Sequence, residues 1–259
     1  NQTVADMYEA LKPTYKSEVQ SWGGTVEYNH ITAPSTTGVF SSKEPSQAAL
    51  DGQNAAWKDS MNDNNVMIVT IARSASENGS YNPGTAGVDP TQNLNQTDPL
   101  GLSDDERDLI NAAVTAKAAN GGKVIVLLNN ASAMEVQEIE DNVGVDAILQ
   151  VGLPGGYGFY GVADILSGAV SPSGHLTDTW AKNYQDNPAS ATFGSNDGNN
   201  LQEDYVEDIF VGYRYFDSFC VAPRFPFGFG LSYTTFAQTV GNVTRNGGEL
   251  TACVTVKNT

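Results

Sequence analysis

Short runs of Val, Ile and Leu alternate with amphipathic segments through the middle of this chain. Three such runs, at 66–72, 123–129 and 145–151, are each short enough for one strand and lack a strict apolar–polar alternation. Strands that are covered on both faces have this composition, as in a parallel sheet flanked by helices. Because helical segments lie between and after the runs, the pattern predicts an α/β fold with a mostly parallel sheet sandwiched by helices.

Capping residues set the limits of the predicted helices. Ser103 and Glu106 form a capping box, and Asp104 and Asp105 suit the positive end of the helix dipole. The helix should end near Asn120, where two glycines follow. Further helices are predicted at 4–11, 46–61, 133–140 and from the glycine-rich turn at 152–156 through residue 166. The polar segments at 32–45 and 183–204 are expected to be loops.

The last part of the chain has a different pattern. Two alternating strands flank Asn246-Gly-Gly248, with Leu250, Ala252, Val254 and Val256 on one face. This pattern predicts a hairpin that begins an all-β module. We therefore divide the chain into an α/β domain at 1–236, with its core at 46–236, and an incomplete β module at 237–259. The chain opens without Met and stops inside a strand-like segment, so we expect it to be a piece of a longer protein.

Composition narrows the classes of partner. The 30 acidic residues exceed the 13 basic ones, which gives a formal charge of -17, so nucleic acid and anionic membranes are excluded as partners.

No apolar run is long enough to span a bilayer. Two cysteines and two histidines are too few for a Cys-based zinc site or a His-rich metal site. No cofactor is expected. Cys220 and Cys253 are compatible with a disulfide or with free thiols. Five Asn-x-Ser/Thr sequons give a slight preference for an extracellular or cell-surface location.

A polar loop follows the first apolar run and carries the candidate chemistry. It contains Arg73, Ser74, Ser76 and Glu77. In open parallel sheets, ligands gather beyond the carboxyl ends of the strands, where this loop begins. A Glu in a loop of Ser, Asn and Gly is also commonly a solvated surface residue. The loop continues to Leu102, a length that is typical of functional or disordered segments.

Two common enzyme classes are excluded on sequence grounds. The glycines at 155, 156, 158 and 161 follow a third strand rather than a first one, and no acidic residue is placed to bind a ribose as the dinucleotide-binding motif requires. The nucleophile elbow G-x-S-x-G of esterases is absent. A flavodoxin-like nucleotide binder is excluded by the lack of a phosphate loop and by the negative charge.

Several motifs together resemble the α/β-sandwich domain of glycoside hydrolase family 3, the β-glucosidase type. The resemblance covers roughly residues 66–236, and the tail after Phe236 resembles the start of a fibronectin-III-like domain. The motifs are Val124-Ile-Val-Leu-Leu-Asn129, Val145-Asp-Ala-Ile-Leu-Gln-Val-Gly-Leu-Pro-Gly-Gly156, Ala163-Asp-Ile-Leu-Ser-Gly168, Ser171-Pro-Ser-Gly174 with Leu176, Ile209-Phe-Val-Gly-Tyr-Arg-Tyr-Phe-Asp217 and Phe225-Pro-Phe-Gly-Phe-Gly-Leu-Ser-Tyr-Thr-Thr-Phe236.

The resemblance assigns a role to the polar loop. The family's Arg-x-Ser-Gly-Glu-Gly loop matches residues 73–78 and places Glu77 at the acid/base position. This sequence departs from the family at Ser76 and Asn78, which replace glycines, and at Tyr157, which replaces a usual Glu. The resemblance further implies that the nucleophilic Asp comes from a (β/α)8 barrel of the same parent protein, on either side of this chain.

Two functions of different classes follow. The leading hypothesis is the acid/base-bearing domain of a retaining exo-β-glycosidase that acts on terminal β-linked sugars, with Glu77 as proton donor and Arg73 orienting it or the sugar. Ser76 and Tyr81 are the further candidate substrate-binding residues. The alternative is a non-catalytic carbohydrate-binding or scaffolding module. Further residues are secondary candidates with a structural interpretation beside the functional one. Glu207 is a second acid or a strand-entry residue, and Glu135 is a supporting or surface group. Trp180, Tyr81 and Phe229 are sugar platforms or core residues.

Overall fold

The computed structural model describes residues 32–34, 40–42, 48, 66–73, 98, 100–155, 157–192 and 205–259. The helix expected at 4–11 lies outside these residues. Of the helix expected at 46–61, only residue 48 is described, and it is helical.

A three-stranded parallel sheet forms the centre of the fold. Its strands are β3 (Val66–Ala72), β4 (Lys123–Asn129) and β5 (Ala147–Gln150), in the spatial order β3-β4-β5. Val66 lies opposite Lys123, and Ile125 lies opposite Ala147. The three predicted strands and their parallel pairing are confirmed, although β5 is shorter than the apolar run at 145–151.

Helices cover both faces of this sheet. They are α1 (Asp104–Asn120), α2 (Gln137–Glu140) and α3 (Gly158–Leu166). Alternate residues of β4 point to opposite faces, so Val124, Val126 and Leu128 share a cluster with α1, whereas Leu127 packs with α3. The sheet is therefore sandwiched by helices, as the sequence predicts.

The termini of α1 follow the predicted capping. The Ser103 hydroxyl accepts the amide of Glu106 at 3.2 Å, and the Glu106 carboxylate accepts the amide of Ser103 at 2.8 Å. At the other end, Gly121 adopts a left-handed φ of 75° and donates its amide to the carbonyl of Lys117 at 2.7 Å. Local sequence therefore fixes both ends of this helix.

The helix predicted at 133–140 is wrong in its first half. Only Gln137–Glu140 is helical. The amide of Glu135 donates instead to the carbonyl of Leu100 at 2.9 Å, a residue far away in the sequence. This long-range bond, with the burial of Met134 and Val136, favours an extended path over an additional helical turn.

The loop predicted at 32–45 is also wrong in part. Strands β1 (Thr32–Pro34) and β2 (Phe40–Ser42) pair there in antiparallel register, with Ala33 opposite Ser41. Strands of this length are held by backbone hydrogen bonds between their partners. A Ser-, Thr- and Pro-rich composition does not reveal such bonds.

The carboxyl-terminal third contains short helices and a long hairpin. Two 3-10 helices, Tyr184–Asp186 and Pro188–Ala191, fall within the segment expected to be loop, and α4 is Tyr213–Ser218. Strands β6 (Phe236–Asn246) and β7 (Glu249–Asn258) pair antiparallel around Gly247, whose φ is 60°. The predicted hairpin is confirmed. Its membership of a fibronectin-III-like module and the boundary at 236 stay predictions.

Two further observations concern the described residues alone. Cys220 and Cys253 are both exposed and free, so the disulfide alternative is not realised in this structure. Among the helices that the structure describes, none combines the length and the apolar character that crossing a bilayer requires.

Candidate functional site

The residues proposed from the sequence follow β3 along the chain. Arg73 is the first residue after this strand and is described, whereas Ser76, Glu77 and Tyr81 lie outside the described residues. The roles of those three residues therefore stay predictions. The described part of the site is the edge at which β3, β4 and β5 end.

Arg73 is a buried cation with a well-defined set of contacts. Its side chain is 4% exposed. Nε donates to Glu106 Oε1 at 2.8 Å, and Nη2 donates to Glu106 Oε2 at 2.6 Å and to the carbonyl of Gly101 at 2.7 Å. A two-point contact between guanidinium and carboxylate fixes the orientation of both groups. Glu106, which the sequence analysis treated only as a capping residue, is thus part of the site.

Two amide side chains lie at the same edge of the sheet. Asn130 follows β4 and is completely buried, and Gln150 ends β5. Gln150 Nε2 donates to the carbonyl of Asn130 at 3.1 Å. Within the described part of the chain, the Asn130 amide atoms and Gln150 Oε1 have no hydrogen-bond partner. The burial of Asn130 also argues against glycosylation of its sequon in the folded state. A polar residue at the end of each apolar run was the signal that could have identified both amides.

Glu135 belongs to a group of acidic side chains beside this edge. It accepts the backbone amide of Tyr184. Burial raises the pKa of Glu135 to about 7. The hydrogen bond with Asp98 and the charge of Asp186 also raise this pKa, whereas the hydrogen bond from the Tyr184 amide lowers it. Glu135 is therefore half-buried and contacts Asp98, which lies near the end of the long polar loop.

Replacing Glu135 with Gln is expected to weaken the pH dependence of stability. Because the folded-state pKa is raised from 4.5 to about 7, folding favours the protonated carboxyl, and stability is lost as the pH rises through this range. Gln stays neutral and retains an oxygen for the Tyr184 amide. After allowance for partial exposure, the variant should gain about 1 kcal/mol over the wild type at pH 8.

Urea unfolding at pH 5 and pH 8 measures this difference. The exposed Glu249→Gln in β7 is the matched control and should unfold in parallel with the wild type at both pH values. An equal pH dependence in Glu135→Gln and the wild type would contradict the raised pKa.

The remaining candidates fall into different environments. Trp180 is 4% exposed and belongs to the core, where it packs edge-on against Phe225 at 6.2 Å. Phe229 stacks on Phe225 at 4.5 Å. Glu207 lies in a turn and not at a strand entry. Tyr157 is 82% exposed and precedes α3.

Comparison with a family model gives a match over nearly the whole chain. The model of the glycosyl hydrolase family 3 C-terminal domain matches residues 2–233. Among curated proteins, a beta-glucosidase of Ruminococcus albus is 42% identical over 137 residues, which cover 52% of this chain and 14% of that protein. A probable beta-glucosidase A of Aspergillus clavatus is 38% identical over 120 residues, which cover 46% of this chain and 14% of that protein.

Solved structures show the same similarity. Beta-glucosidase 3B of Thermotoga neapolitana, in complex with alpha-D-glucose, matches with a TM-score of 0.68 and 33% identity over 96% of this chain and 32% of that chain. A beta-glucosidase of Paenibacillus barengoltzii matches with a TM-score of 0.62 and 33% identity over 78% of this chain and 20% of that chain. The chain therefore spans less than a third of the length of these relatives.

Proposed function

This chain belongs to the glycosyl hydrolase family 3 C-terminal domain family, and on that basis we propose that it is the acid/base-bearing domain of a retaining exo-β-glycosidase. The substrates are terminal, non-reducing β-linked sugars, in keeping with the names of the β-glucosidase relatives. The family match carries this proposal, because it includes the loop at 73–78 together with the strand that precedes it.

The proposed reaction uses two carboxyl groups from different domains. In retaining glycosidases, one carboxylate attacks the sugar, and a second carboxyl protonates the leaving oxygen and later activates water, with roughly 5 to 5.5 Å between them. We assign the second role to Glu77. The nucleophilic Asp comes from a (β/α)8 barrel of the parent protein, which is the domain partner that we propose for this chain.

The described start of the loop and the charge of the chain support this assignment. The loop begins at the carboxyl edge of a parallel sheet, where ligands commonly bind in such folds. Arg73 is the first residue of the loop, and its side chain binds Glu106 and the carbonyl of Gly101. The negative formal charge of -17 favours a neutral ligand such as a sugar over an anionic one. Ser76 and Tyr81 are the proposed sugar contacts.

A second candidate function rests on the departures within the loop. Ser76 and Asn78 stand where the family has glycine, and Tyr157 stands where it has Glu. Side chains at these positions restrict the backbone that a glycine would allow. A non-catalytic carbohydrate-binding or scaffolding module is therefore the alternative.

Hydrolysis of a panel of nitrophenyl β-glycosides separates the two functions. The panel is assayed with this chain alone, with the barrel-bearing segment of its parent alone, and with both mixed. We expect activity only in the mixture, because the nucleophile and the acid then meet. Sugar binding measured by calorimetry, without hydrolysis in the mixture or in the intact protein, would favour the binding module and contradict the catalytic proposal.

A further inference from the structure

We propose that Asn242 is an N-glycosylation site of this protein and that its glycan lies on the polar face of the terminal hairpin. The acceptor is the side-chain amide nitrogen of Asn242, in the sequon Asn242-Val-Thr244. The donor is a lipid-linked oligosaccharide pyrophosphate, the class of substrate used by cells that glycosylate secreted proteins. This inference is independent of the proposed function, since it uses no residue of the loop at 73–78.

The transfer reaction sets the structural requirements for such a site. The amide nitrogen forms a bond to the anomeric carbon of the first sugar, and the bond between that carbon and the pyrophosphate oxygen breaks. The lipid pyrophosphate leaves, and the amide loses one proton, so the step needs no oxidant or reductant. The attached glycan is bulky and hydrophilic, so the folded protein must hold the modified Asn in solvent.

The hairpin has one apolar face and one polar face. In an antiparallel pair, residues directly opposite each other lie on the same face. Val240 lies opposite Val254, whereas Thr244 lies opposite Thr251 on the other face. The apolar face also carries Val243, Ala252, Leu250 and Val256, and the polar face carries Thr239, Thr255, Asn246 and Glu249. The apolar face suits packing within an all-β module, and the polar face suits contact with water.

A β-bulge in β6 gives the sequon its orientation. The register shifts so that Gly241 and Asn242 stand against the single residue Cys253 of β7. Regular alternation resumes at Val243, whose side chain lies on the apolar face, so Asn242 and Thr244 both lie on the polar face. Every residue of β6 is exposed. The acceptor amide and the hydroxyl of the sequon therefore lie on the same solvent-facing surface.

The sequon at Asn130 provides an internal comparison. Asn130-Ala-Ser132 has the same sequence pattern, but Asn130 follows the central strand β4 and is completely buried. A glycan on its side chain would have to occupy space that the packed domain already fills. Of the two sequons within the described residues, only that of Asn242 is exposed. Burial therefore selects between two sites that the sequence presents as equal.

Site occupancy in a glycosylating host tests the inference. The intact protein is directed into the secretory pathway of a eukaryotic host by a signal peptide, and the protein is recovered from both medium and cells. Enzymatic release of N-glycans in heavy-oxygen water converts each glycosylated Asn into a labelled Asp, which peptide mass spectrometry locates. We expect label at Asn242 in more than about half of the molecules, and at Asn130 in less than about a twentieth.

Two results of this measurement would overturn the inference. One is the absence of label at Asn242 in both fractions, since the exposed sequon would then not be an acceptor. The other is equal label at Asn130 and Asn242, since burial in the folded domain would then not select the site.

Variants of the hydroxyl residue provide matched controls. Thr244→Ala keeps Asn242 but removes the sequon, so the label at Asn242 should disappear, whereas Thr244→Ser should retain it. Thr251→Ala removes the exposed hydroxyl opposite Thr244 on the same face and leaves the sequon intact, so its label should equal that of the wild type. Label that persists in Thr244→Ala would contradict transfer to this sequon.

The position of the glycan on the polar face has a separate test. Glycan release is compared between the folded protein and the protein unfolded in detergent. If the polar face is open to solvent, the enzyme should remove the Asn242 glycan to the same extent in both. Release only after unfolding would show that this face is covered and would overturn the placement.

Discussion

Glu77→Ala in the intact protein is expected to lower kcat for 4-nitrophenyl and natural β-glycosides by about 100- to 10,000-fold. The variant loses the group that protonates the leaving oxygen and later activates water. In the second half of the reaction, a small anionic nucleophile can attack the glycosyl-enzyme in place of water, and it needs no base to remove a proton. Azide should therefore restore turnover with an activated substrate such as 2,4-dinitrophenyl β-glucoside, and the product should be a β-glycosyl azide.

The pH profile provides an independent test of the same variant. In the wild type, kcat/KM should fall on the alkaline side as the acid loses its proton, and this limb should be absent in Glu77→Ala. Glu249→Ala, an exposed Glu of β7, is the control and should behave as the wild type. Wild-type turnover in Glu77→Ala would contradict the catalytic assignment and favour the carbohydrate-binding module.

Leu127→Ala should reduce the free energy of unfolding by about 3 kcal/mol. Leu127 is fully buried in β4 and packs against Phe159, Val162 and Ala163, three residues of α3. The substitution removes apolar contacts and leaves a cavity between the sheet and this helix. Because neither neighbouring element can move far without breaking its own contacts, we expect the cavity to persist.

Urea unfolding followed by circular dichroism measures this change. Leu250→Ala is the matched control, because Leu250 lies on the hairpin and is 70% exposed. Its substitution should change the free energy of unfolding by less than about 0.5 kcal/mol. Similar values for the two variants would contradict the packing of α3 on β4.

Much of the fold follows from local sequence. The apolar runs identify β3 and β4, because a strand that is covered on both faces needs apolar side chains on both. Ser103, Glu106 and Gly121 give the ends of α1, because capping bonds join residues close in the chain. The turn at Gly247 identifies the final hairpin for the same reason. The family of the domain was also readable from its motifs.

The candidate site was predictable in part. The strand that leads to Arg73 and the sheet edge where it ends were foreseen. The partner of Arg73 was not, since Glu106 is 33 positions away and already explained as a cap. Asn130 and Gln150 were missed because a polar residue after a strand is usually solvated. Only the meeting of β4 and β5 at one edge brings the two side chains together, with Asn130 fully buried.

Sequence by itself determined the α/β class, the parallel strands, the capping of α1, the terminal hairpin and the loop proposed to carry the acid. These features depend on neighbouring residues or on the repeat of apolar side chains. Tertiary structure decided the shortening of α2, the Arg73–Glu106 ion pair and the raised pKa of Glu135. Each of these depends on groups far apart in the chain, whose hydrogen bonds and burial exist only once the chain has folded.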